Sequence, residues 1–553
     1  MKTLFSILAC ILFPSLLFAQ WPKQADMVNM ITDDQYDQTD PIPYFLSDGS
    51  MLITYYSHEV VDQDARNFNL RIQKLDPNGN RLWGDAGMLI SKFKQDDFVY
   101  IYNFKLDYEE NAIIAVSDIR EGSEDVHLYK ISPEGEFLWG KNGISFVDTH
   151  RDNIGTTIAI LQDNSVIISY ASIAFENESD IVSNRISKEG EKLWGEGIKI
   201  KDEGIDYINP KIITATDNTV ILTYLKQQES AIEIYSQKYD TEGEEVWENP
   251  VLISDSFGIP IYFFLNAISD QDGGVFIAYT DDRDMDNILN VNFHHILSDG
   301  TSKWPKNGAI IANTPTFYQS DPQIAGITSD GNLIGTCVQK DITQSSGNFI
   351  AQSFDDEGNL LWGDEGFQPL NIDKQFGTII NSTSVNDTNI IVYTIDSPNS
   401  VLESNIKGTA FGKNKEILWD QLEQDIASNY SRIVDPHISP IWKSKFVVVW
   451  DNENNVFGQL VNSNGKIGLI TSLHEIYTNI LNIYPNPVIS TLTIEGIQGE
   501  CNYYIQSMTG QVIHEGICNN GEQINLPALS SGVYIIKIKQ NNNQHFKKKI
   551  ILY

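Results

Sequence analysis

The sequence predicts an all-β protein in two parts, an eight-bladed β-propeller followed by a small C-terminal β-sandwich. A sequence motif marked by a tryptophan, with a glycine four residues earlier in most copies, recurs at intervals of 53 to 58 residues. Short apolar runs alternate with turn dipeptides between the copies of this motif, and the repeated stretch shows no helical periodicity with caps. The sequence pattern changes near residue 481, where short predicted strands and turns continue without the motif.

The recurring motif has the form RIQKLDPNGNRLWGDAG, and its tryptophan marks each copy. In six of the seven clear copies a glycine stands four positions before the tryptophan, and in the seventh Lys415 stands there. We expect these indoles to pack between neighbouring sheets, as bulky aromatic side chains do in a core. The seven tryptophans are Trp83, Trp139, Trp194, Trp247, Trp304, Trp362 and Trp419.

A second hairpin lies between successive copies of the motif, as in PYFLSDGSMLITYY and GITSDGNLIGTCVQ. Its DG, DGG or DN turn accepts the positive φ that a tight hairpin needs. Each repeat therefore contains four strands, A to D, and four strands per period of about fifty residues are typical of a propeller blade.

The sequence contains eight sets of A–D strands, and the count becomes seven if the seventh or eighth copy is not a full blade. The eighth copy, FGQLVNSNGKIGL, has Leu469 in place of tryptophan. The segment WPKQADMVNMITD resembles the D-strand text WPKNGAIIAN, so we expect Trp21 to supply the missing tryptophan. An N-terminal strand would then complete the last blade and leave no exposed sheet edge.

The repeat resembles a widespread family of secreted bacterial propeller repeats of the approximate form xDxRxGxxDIxAQxLDxxGxxLWGxxG. The best matching segments are 117–143 and 280–308. The resemblance implies an architecture and specifies no chemistry.

Residues 1–20 are typical of a cleavable signal peptide, with Lys2, an apolar run and the small residue Ala19. The alternative is a lipoprotein signal that uses Cys10. No other segment contains the ~18 apolar residues that a membrane span needs, so we expect a mature protein that is not transmembrane. The predicted parts are the signal at 1–20, the propeller at 21–477 and the C-terminal domain at 478–553.

The net charge is distributed very unevenly. Lysines and arginines number 38 against 74 acids, a formal charge of −36, and residues 1–20 and 478–553 each carry +1, so residues 21–477 carry −38. Such a surface repels phosphate backbones, so we expect no nucleic-acid partner. Of the three mature cysteines, Cys501 and Cys518 lie in the tail, where a disulfide between them is possible, and Cys337 lies in an apolar strand.

The tail contains LNIYPNP, STLTIEG, YYIQSMTGQVIHEG, INLPALSSGVYIIKI and FKKKIILY. It resembles the type A C-terminal sorting domain of type IX secretion cargo. The resemblance implies passage through the outer membrane by the type IX machinery, followed by attachment to the cell surface or release. The matching residues are Tyr484, Pro485, Asn486, Pro487, Gly510, Gly532, Val533, Tyr534, Lys547, Lys548 and Lys549.

No HExxH motif, GxSxG elbow or phosphate-binding glycine loop occurs in the sequence. The segment DDRDMDN places Asp282, Asp284 and Asp286 in the alternating pattern that surrounds Ca²⁺, although Asn287 replaces the expected glycine. These three residues form a candidate calcium site, and we expect no other cofactor. The alternative is a solvated acidic loop in which Asp281 pairs with Arg283.

The D–A loops contain a repeated Asx-Pro pair at the start of the innermost strand, preceded by a tyrosine. One interpretation is a ring of aromatic and carboxylate side chains around the axial mouth, able to stack on sugar faces. The other is turn chemistry and rim packing. The candidate ligand-face residues are Tyr36, Asp40, Tyr207, Asn209, Tyr318, Asp321, Tyr430 and Asp435.

The leading functional hypothesis is an exported binding or adhesion module without catalytic activity, with a glycan or a surface protein as its ligand. The enzymatic alternative is a polysaccharide hydrolase or lyase with paired carboxylates at the axial mouth, roughly 5 to 10 Å apart. A third interpretation is a structural adhesin that needs only the repeat surface.

Overall fold

The computed structural model describes residues 21–62, 65–93, 102–120, 122–174, 178–261, 265–373, 375–397, 400–431, 433–452, 455–469, 482–484, 490–495, 501–507, 511–526, 532–540 and 545–552. The all-β prediction is confirmed, since these residues form strands and turns and contain no helix. The chain divides into two compact units, Met1–Gly468 and Leu469–Tyr553. The predicted signal peptide and the predicted boundary at 477/478 lie outside the described residues and stay predictions.

The first unit contains strands β1 to β31. They are β1 (Asn29–Met30), β2 (Asp37–Phe45), β3 (Met51–Asp62), β4 (Ala65–Leu75), β5 (Met88–Ser91), β6 (Asn103–Leu106), β7 (Ala112–Asp118), β8 (Asp125–Ile131), β9 (Ile144–Phe146), β10 (Arg151–Ile160), β11 (Val166–Ala174), β12 (Ser179–Ile186), β13 (Ile198–Ile200), β14 (Asp206–Thr214), β15 (Val220–Gln228) and β16 (Ala231–Tyr239). The remainder are β17 (Val251–Ser254), β18 (Asn266–Ser269), β19 (Val275–Asp281), β20 (Asn290–Ile296), β21 (Ala309–Ile310), β22 (Phe317–Ile327), β23 (Leu333–Asp341), β24 (Gly347–Phe354), β25 (Phe376–Val385), β26 (Thr388–Ser397), β27 (Ser400–Gly412), β28 (Gln424–Ser431), β29 (Val434–Ile438), β30 (Lys445–Asn452) and β31 (Asn455–Asn462).

In the described part of this unit these strands form eight antiparallel sheets, which we number in chain order from the one that contains β2. Seven have four strands, and the sixth has β22, β23 and β24 together with isolated bridges from Phe367 and Asp373. Strand β1 pairs with β31 and so completes the eighth sheet, which holds β29 and β30 as well. The innermost strands contact each other in sequence, from β2 through β6, β10, β14, β18, β22, β25 and β29 back to β2. This cyclic, propeller-like order brings the two ends of the unit together.

The hydrophobic core of the first unit is divided among the interfaces of successive sheets. One cluster joins Tyr56 and Leu70 of the first sheet to Ile114 and Tyr129 of the second. Similar clusters of buried side chains lie between the later sheets. Each sheet is therefore stabilised mainly by its two neighbours.

The recurring tryptophan explains how one sheet is joined to the next. The indole N–H of Trp247 donates to the backbone carbonyl of Ser298, which lies in the C–D turn of the following sheet, at 3.0 Å. Gly300 of that turn has φ +86°, and a Cβ on it would lie 3.0 Å from the indole ring. Both the positive φ and the close contact exclude a side chain at this position. The equivalent indole bonds are made by Trp139, Trp194, Trp304, Trp362 and Trp419, at 2.8 to 3.3 Å.

Trp21 occupies the same kind of position at the junction of the eighth and first sheets. Its side chain is 1% exposed, and its ring lies against Gly79 of the first C–D turn. In the seventh turn Lys415 replaces glycine and adopts φ 71° itself. The turn geometry is thus retained where the glycine is lost.

The second unit contains β32 (Asn482–Tyr484), β33 (Thr491–Glu495), β34 (Cys501–Ser507), β35 (Val512–Cys518), β36 (Gln523–Asn525), β37 (Gly532–Gln540) and β38 (His545–Leu552). Its two sheets have the orders β32-β33-β36 and β35-β34-β37-β38 and share one hydrophobic cluster, an arrangement typical of a β-sandwich. Cys501 and Cys518 are direct cross-strand partners, and both side chains are buried. Burial raises the pKa of the Cys518 thiol to about 11.

Candidate functional site

The innermost strands share a β-bulge near their first residues. The register shifts between Thr39 and Ile42 in β2, and equivalent shifts occur in β10, β14, β22, β25 and β29. At the bulge Asp40, Asn209 and Asp321 have φ of 51 to 52°, a conformation that Asn and Asp accept more readily than other side chains. This explains the repeated Asx-Pro pair, since a bulge bends the strand and turns its side chains to a new direction.

A cavity of about 300 Å³ lies where these bulges meet. Six of the eight sheets contribute to its wall, which makes it an axial site of the ring, and we call it the axial cavity. The residues that line it are Asp40, Ile42, Tyr102, Asn103, Gly155, Thr156, Thr157, Asn209, Pro210, Lys211, Leu265 and His437.

One lysine, Lys211, lines this cavity, and a second, Lys105, lies near enough to Lys211 for its charge to act on it. Lys211 follows the Asn209-Pro210 pair on β14 and lines the cavity. Lys105 lies on β6 two residues after Asn103, so both side chains are on the same face of the strand. Burial, and secondly the positive charge of Lys211, lower the pKa of Lys105 to about 8, and burial also lowers the pKa of Lys211. The two ammonium groups therefore affect each other electrostatically.

Side chains of β6 and β14 are fixed by backbone carbonyls of β10, the innermost strand between them. Asn103 Nδ2 donates to Thr156 O at 2.8 Å, and Lys105 Nζ donates to Ile158 O at 2.6 Å. Thr214 Oγ1 donates to Ile160 O at 2.8 Å from the other side. These bonds hold this wall of the cavity in one arrangement, because neighbouring innermost strands have no backbone ladder between them.

The sixth and seventh sheets satisfy their polar groups with one another. The hydroxyl of Thr378 donates to the Asp321 carboxylate at 3.0 Å, and Thr336 Oγ1 donates to Ser382 Oγ at 2.8 Å. The Asp321 carboxylate is therefore engaged on this side of the ring.

The predicted ligand-face residues occupy different surroundings. Asp40 and Asn209 line the axial cavity, and Asn209 Nδ2 also donates to Ile261 O. Tyr207 is 5% exposed, packs in the hydrophobic cluster between the third and fourth sheets, and donates its hydroxyl to Asp202 at 2.6 Å. Tyr36 donates to Glu59 at 3.3 Å, and Tyr318 is half-buried on β22. Tyr430 and Asp435 lie on β28 and β29, and their side chains are outside the described part of the chain.

The sequence did not point to Lys105 or Lys211. A usable signal exists, since the first residue after each bulge differs from sheet to sheet: Ile42, Thr157, Lys211, Gln323, Ile379 and His437. Four of these six positions line the cavity. A charged side chain at such a position of an innermost strand predicts an axial group.

The candidate calcium loop is organised around Asp282, which is 6% exposed. Its two carboxylate oxygens accept the backbone N–H groups of Asp286 and Asn287, each at 3.1 Å. The Asp286 carboxylate accepts the N–H of Ile288 at 2.9 Å. No group of three or more His, Cys, Asp or Glu side chains arranged to hold a metal ion occurs in the described part of the chain. Calcium binding by Asp282, Asp284 and Asp286 stays a prediction.

Asp281 and Asp118 lie next to these acidic loops and are paired. Arg283 donates to both oxygens of Asp281 at 3.0 and 3.2 Å, and to the carbonyl of Asn307 at 2.7 Å. Arg120 makes the same pair with Asp118 and reaches Asn142 O. The D-x-R element of the repeat therefore joins the end of the second strand to the start of the outermost one.

Residues 482–552 match the family described as the secretion system C-terminal sorting domain. That match covers only the tail, and it confirms the sorting-domain prediction. The protein is therefore exported by the type IX machinery through the outer membrane, to the cell surface or the extracellular space. No helix in the described part of the chain is long and apolar enough to cross a membrane.

No curated protein matches the sequence. Among solved structures, similarity is found to a polysaccharide lyase, an ulvan lyase bound to a GlcA(1-4)Rha3S unit, with 10% identity, a TM-score of 0.42 and coverage of 82% of this chain and 99% of that one. The polysaccharide lyase Uly1 has 10% identity, a TM-score of 0.41 and coverage of 69% and 94%. The Penicillium chrysogenum α-L-arabinanase in complex with arabinobiose has 10% identity, a TM-score of 0.33 and coverage of 57% and 94%. TM-scores this low say nothing about the ligand of this chain.

Proposed function

We propose that residues 21–477 form an eight-bladed propeller that binds a glycan in its axial cavity outside the cell. The cyclic contacts of the eight described sheets support the blade count. The observation that carries the binding function is the axial cavity itself, to which six sheets bring amide, hydroxyl, carboxylate and ammonium groups. A concave site with a few convergent polar groups is typical of small-molecule recognition.

A binding role explains this site better than catalysis does. Glycoside cleavage by paired carboxylates needs two such groups on either side of the bond. Among the described residues that line the cavity, Asp40 is the one carboxylate. The cavity therefore gives no support to the enzymatic alternative, and a surface protein remains the second class of ligand for the test to address.

The direct test is a glycan array probed with the full mature protein, together with a screen for release of reducing ends from the glycans that bind. We expect binding without cleavage. A substitution that fills the cavity, Thr157→Trp, should abolish binding, and the exposed-site control Leu193→Trp should retain it. Cleavage of a bound glycan would establish the enzymatic alternative, and an array without any binding would contradict the glycan proposal.

We propose further that residues 478–553 act only as an address, with the Tyr484–Pro487 segment, Gly510, Gly532–Tyr534 and Lys547–Lys549 as the recognised positions. Deletion of 478–553 should retain the protein in the periplasm, which fractionation and immunoblotting would show. In the matched control, Lys537 and Lys539, which lie on β37 outside these positions, are replaced by glutamine. This variant should be exported. Normal export of the truncated chain would contradict the assignment.

A further inference from the structure

Neither Lys211 of the axial cavity nor the neighbouring Lys105 forms an ion pair among the described residues. Lys105 Nζ donates to the carbonyl of Ile158 at 2.6 Å. Lys130 and Lys238, each 2% exposed, are paired instead, with Asp107 at 2.9 Å and with Asp217 at 2.7 Å. The difference is notable in a chain with 74 acids and 38 bases, in which a partner for a lysine is easily supplied.

An unpaired ammonium group away from bulk water is unfavourable, since its desolvation is not compensated by an opposite charge. Two such groups that repel each other add to the cost. A ligand anion between them supplies the missing charge and the missing acceptors. The arrangement is therefore that of a site made for an anion, in which the free protein bears a cost that binding removes.

Beside the Asp40 carboxylate and His437, the remaining lining includes neutral hydrogen-bonding groups. Thr156 is 3% exposed, and its hydroxyl is buried without a hydrogen-bond partner while the residue lines the cavity. The side chains of Asn103, Thr157 and Asn209 lie beside it. Hydroxyl and amide groups next to two cations suit a ligand that carries hydroxyls as well as a negative charge.

We propose that the axial cavity selects an acidic saccharide and that Lys105 and Lys211 bind its carboxylate or sulfate group. This inference rests on the proposed glycan-binding function and narrows its ligand class. Lys211 reaches the anion from β14 and Lys105 from β6, with Thr156 donating to a neighbouring sugar oxygen. Asp40 and His437, which line the same cavity, face the rest of the sugar.

The first experiment measures the anion site without any polymer. The melting temperature of the full mature protein is recorded with galacturonate, glucose, sodium sulfate or sodium chloride, with all samples adjusted to one ionic strength. Galacturonate and sulfate should raise it and glucose and chloride should not, because a ligand that binds the folded state stabilises it. An equal melting temperature in all four would overturn the proposal, and the two acidic arms distinguish a carboxylate site from a sulfate site.

The second experiment uses variants. Lys105→Met and Lys211→Met should each remove the shift and weaken binding of acidic oligosaccharides by about ten- to a hundred-fold, since hydrogen bonds to a charged group are lost. Both variants should fold, because the substitution removes a buried unpaired charge. Lys141→Met, an exposed lysine without an ion pair, is the matched control and should bind like the wild type. Retained binding in both cavity variants would contradict the assignment.

The glycan array distinguishes this inference from the function on which it rests. Binding confined to glycans with carboxylate or sulfate groups, lost in Lys211→Met, supports both. Binding of neutral glycans overturns the anion preference and leaves the glycan-binding function in place. A thermal shift with galacturonate or sulfate but no signal on the array overturns glycan binding and leaves an anion site, which would then serve an acidic group of another ligand.

Discussion

Buried cations at the two ends of the ring have opposite surroundings. At the end formed by the A–B and C–D turns, a cation on the third strand of a sheet pairs with an aspartate of the A–B turn. Three consecutive sheets repeat this device, with the pairs Lys130–Asp107, Arg185–Asp163 and Lys238–Asp217, and in the next sheet His295 Nε2 lies 3.0 Å from the Asp270 carboxylate. Lys211 at the axial cavity and the neighbouring Lys105 pair with no acid among the described residues.

The difference separates what the repeat contributes to stability from what individual sheets contribute to function. A residue type that recurs in several sheets performs the same structural task in each of them. A charge that occurs in one sheet and lacks a partner has no such task, and it is unfavourable for the fold by itself. The predictions below test this separation, in order of decreasing effect on the free energy of unfolding.

The largest effect is expected at the turn end. Asp107→Asn leaves the Lys130 ammonium, whose side chain is 1% exposed, without its opposite charge. Loss of one partner of a buried pair should lower the free energy of unfolding by about 3–5 kcal/mol, measured by urea denaturation. Asp299→Asn, at an exposed turn, should change it by less than about 0.5 kcal/mol. Equal changes in the two variants would show that the turn-end pairs do not stabilise the fold.

A smaller effect is expected where tryptophan meets the turn glycine. Gly300→Ala forces a Cβ into a backbone with φ +86°, at 3.0 Å from the Trp247 ring, and should cost about 2–3 kcal/mol. Gly331→Ala has nearly the same φ, +85°, but no atom within 4 Å of the added Cβ, and should cost about 1 kcal/mol. The same denaturation experiment measures both. If the two variants lose equal stability, the strain lies in the backbone alone and the indole contact contributes nothing.

The opposite sign is expected at the axial cavity. Lys105→Met replaces a cation that has no acidic partner among the described residues by an apolar side chain of similar length, and it should raise the free energy of unfolding at pH 7 by about 1 kcal/mol. Lys141→Met, at an exposed site, should leave it unchanged. A loss of stability in Lys105→Met would mean that Lys105 has a structural role like the turn-end lysines, and the comparison of the two ends would fail.

The pH dependence of stability follows from the same group. The pKa of Lys105 is lowered to about 8 in the folded protein, below its ordinary value of 10.5, so the unfolded chain holds more protons between these two values. This group therefore makes the protein more stable as the pH rises from about 8 to 10.5. Denaturation midpoints across that range should rise more steeply in the wild type than in Lys105→Met, and parallel curves would contradict the lowered pKa.

Much of the fold follows from local patterns. The spacing of the tryptophans predicted a ring of small sheets, and the glycine four residues earlier indicated the C–D turn. The structure added that each indole packs on the turn of the following sheet. Trp21 was expected to replace the tryptophan absent at Leu469, and it lies against Gly79 with 1% exposure. These features could be predicted from the sequence because the same contact is repeated, and each repeat uses the same residue types to make it. The tail was identified in the same way, from an ordered set of short motifs.

Only part of the axial site could be predicted from the sequence. The Asx-Pro pairs indicated the starts of the innermost strands, and Asp40 and Asn209 do line the cavity. Tyr207, chosen by the same pattern, packs instead in the hydrophobic cluster between the third and fourth sheets, where its hydroxyl donates to Asp202. The proximity of Lys105 and Lys211 could not be predicted, because 106 residues separate them along the chain and no local pattern relates one to the other.

The sequence by itself determined the class of fold, the repeat, the acidic propeller with its nearly neutral tail, and the export of the protein. These properties depend on local turn chemistry, on side-chain periodicity and on composition, all of which can be counted along the chain. Only the tertiary structure decided which side chains meet at the axis and which cations lack a partner. Closure of the ring brings residues from six sheets to one cavity, and the partners of a charge become recognisable only once distant parts of the chain have come together.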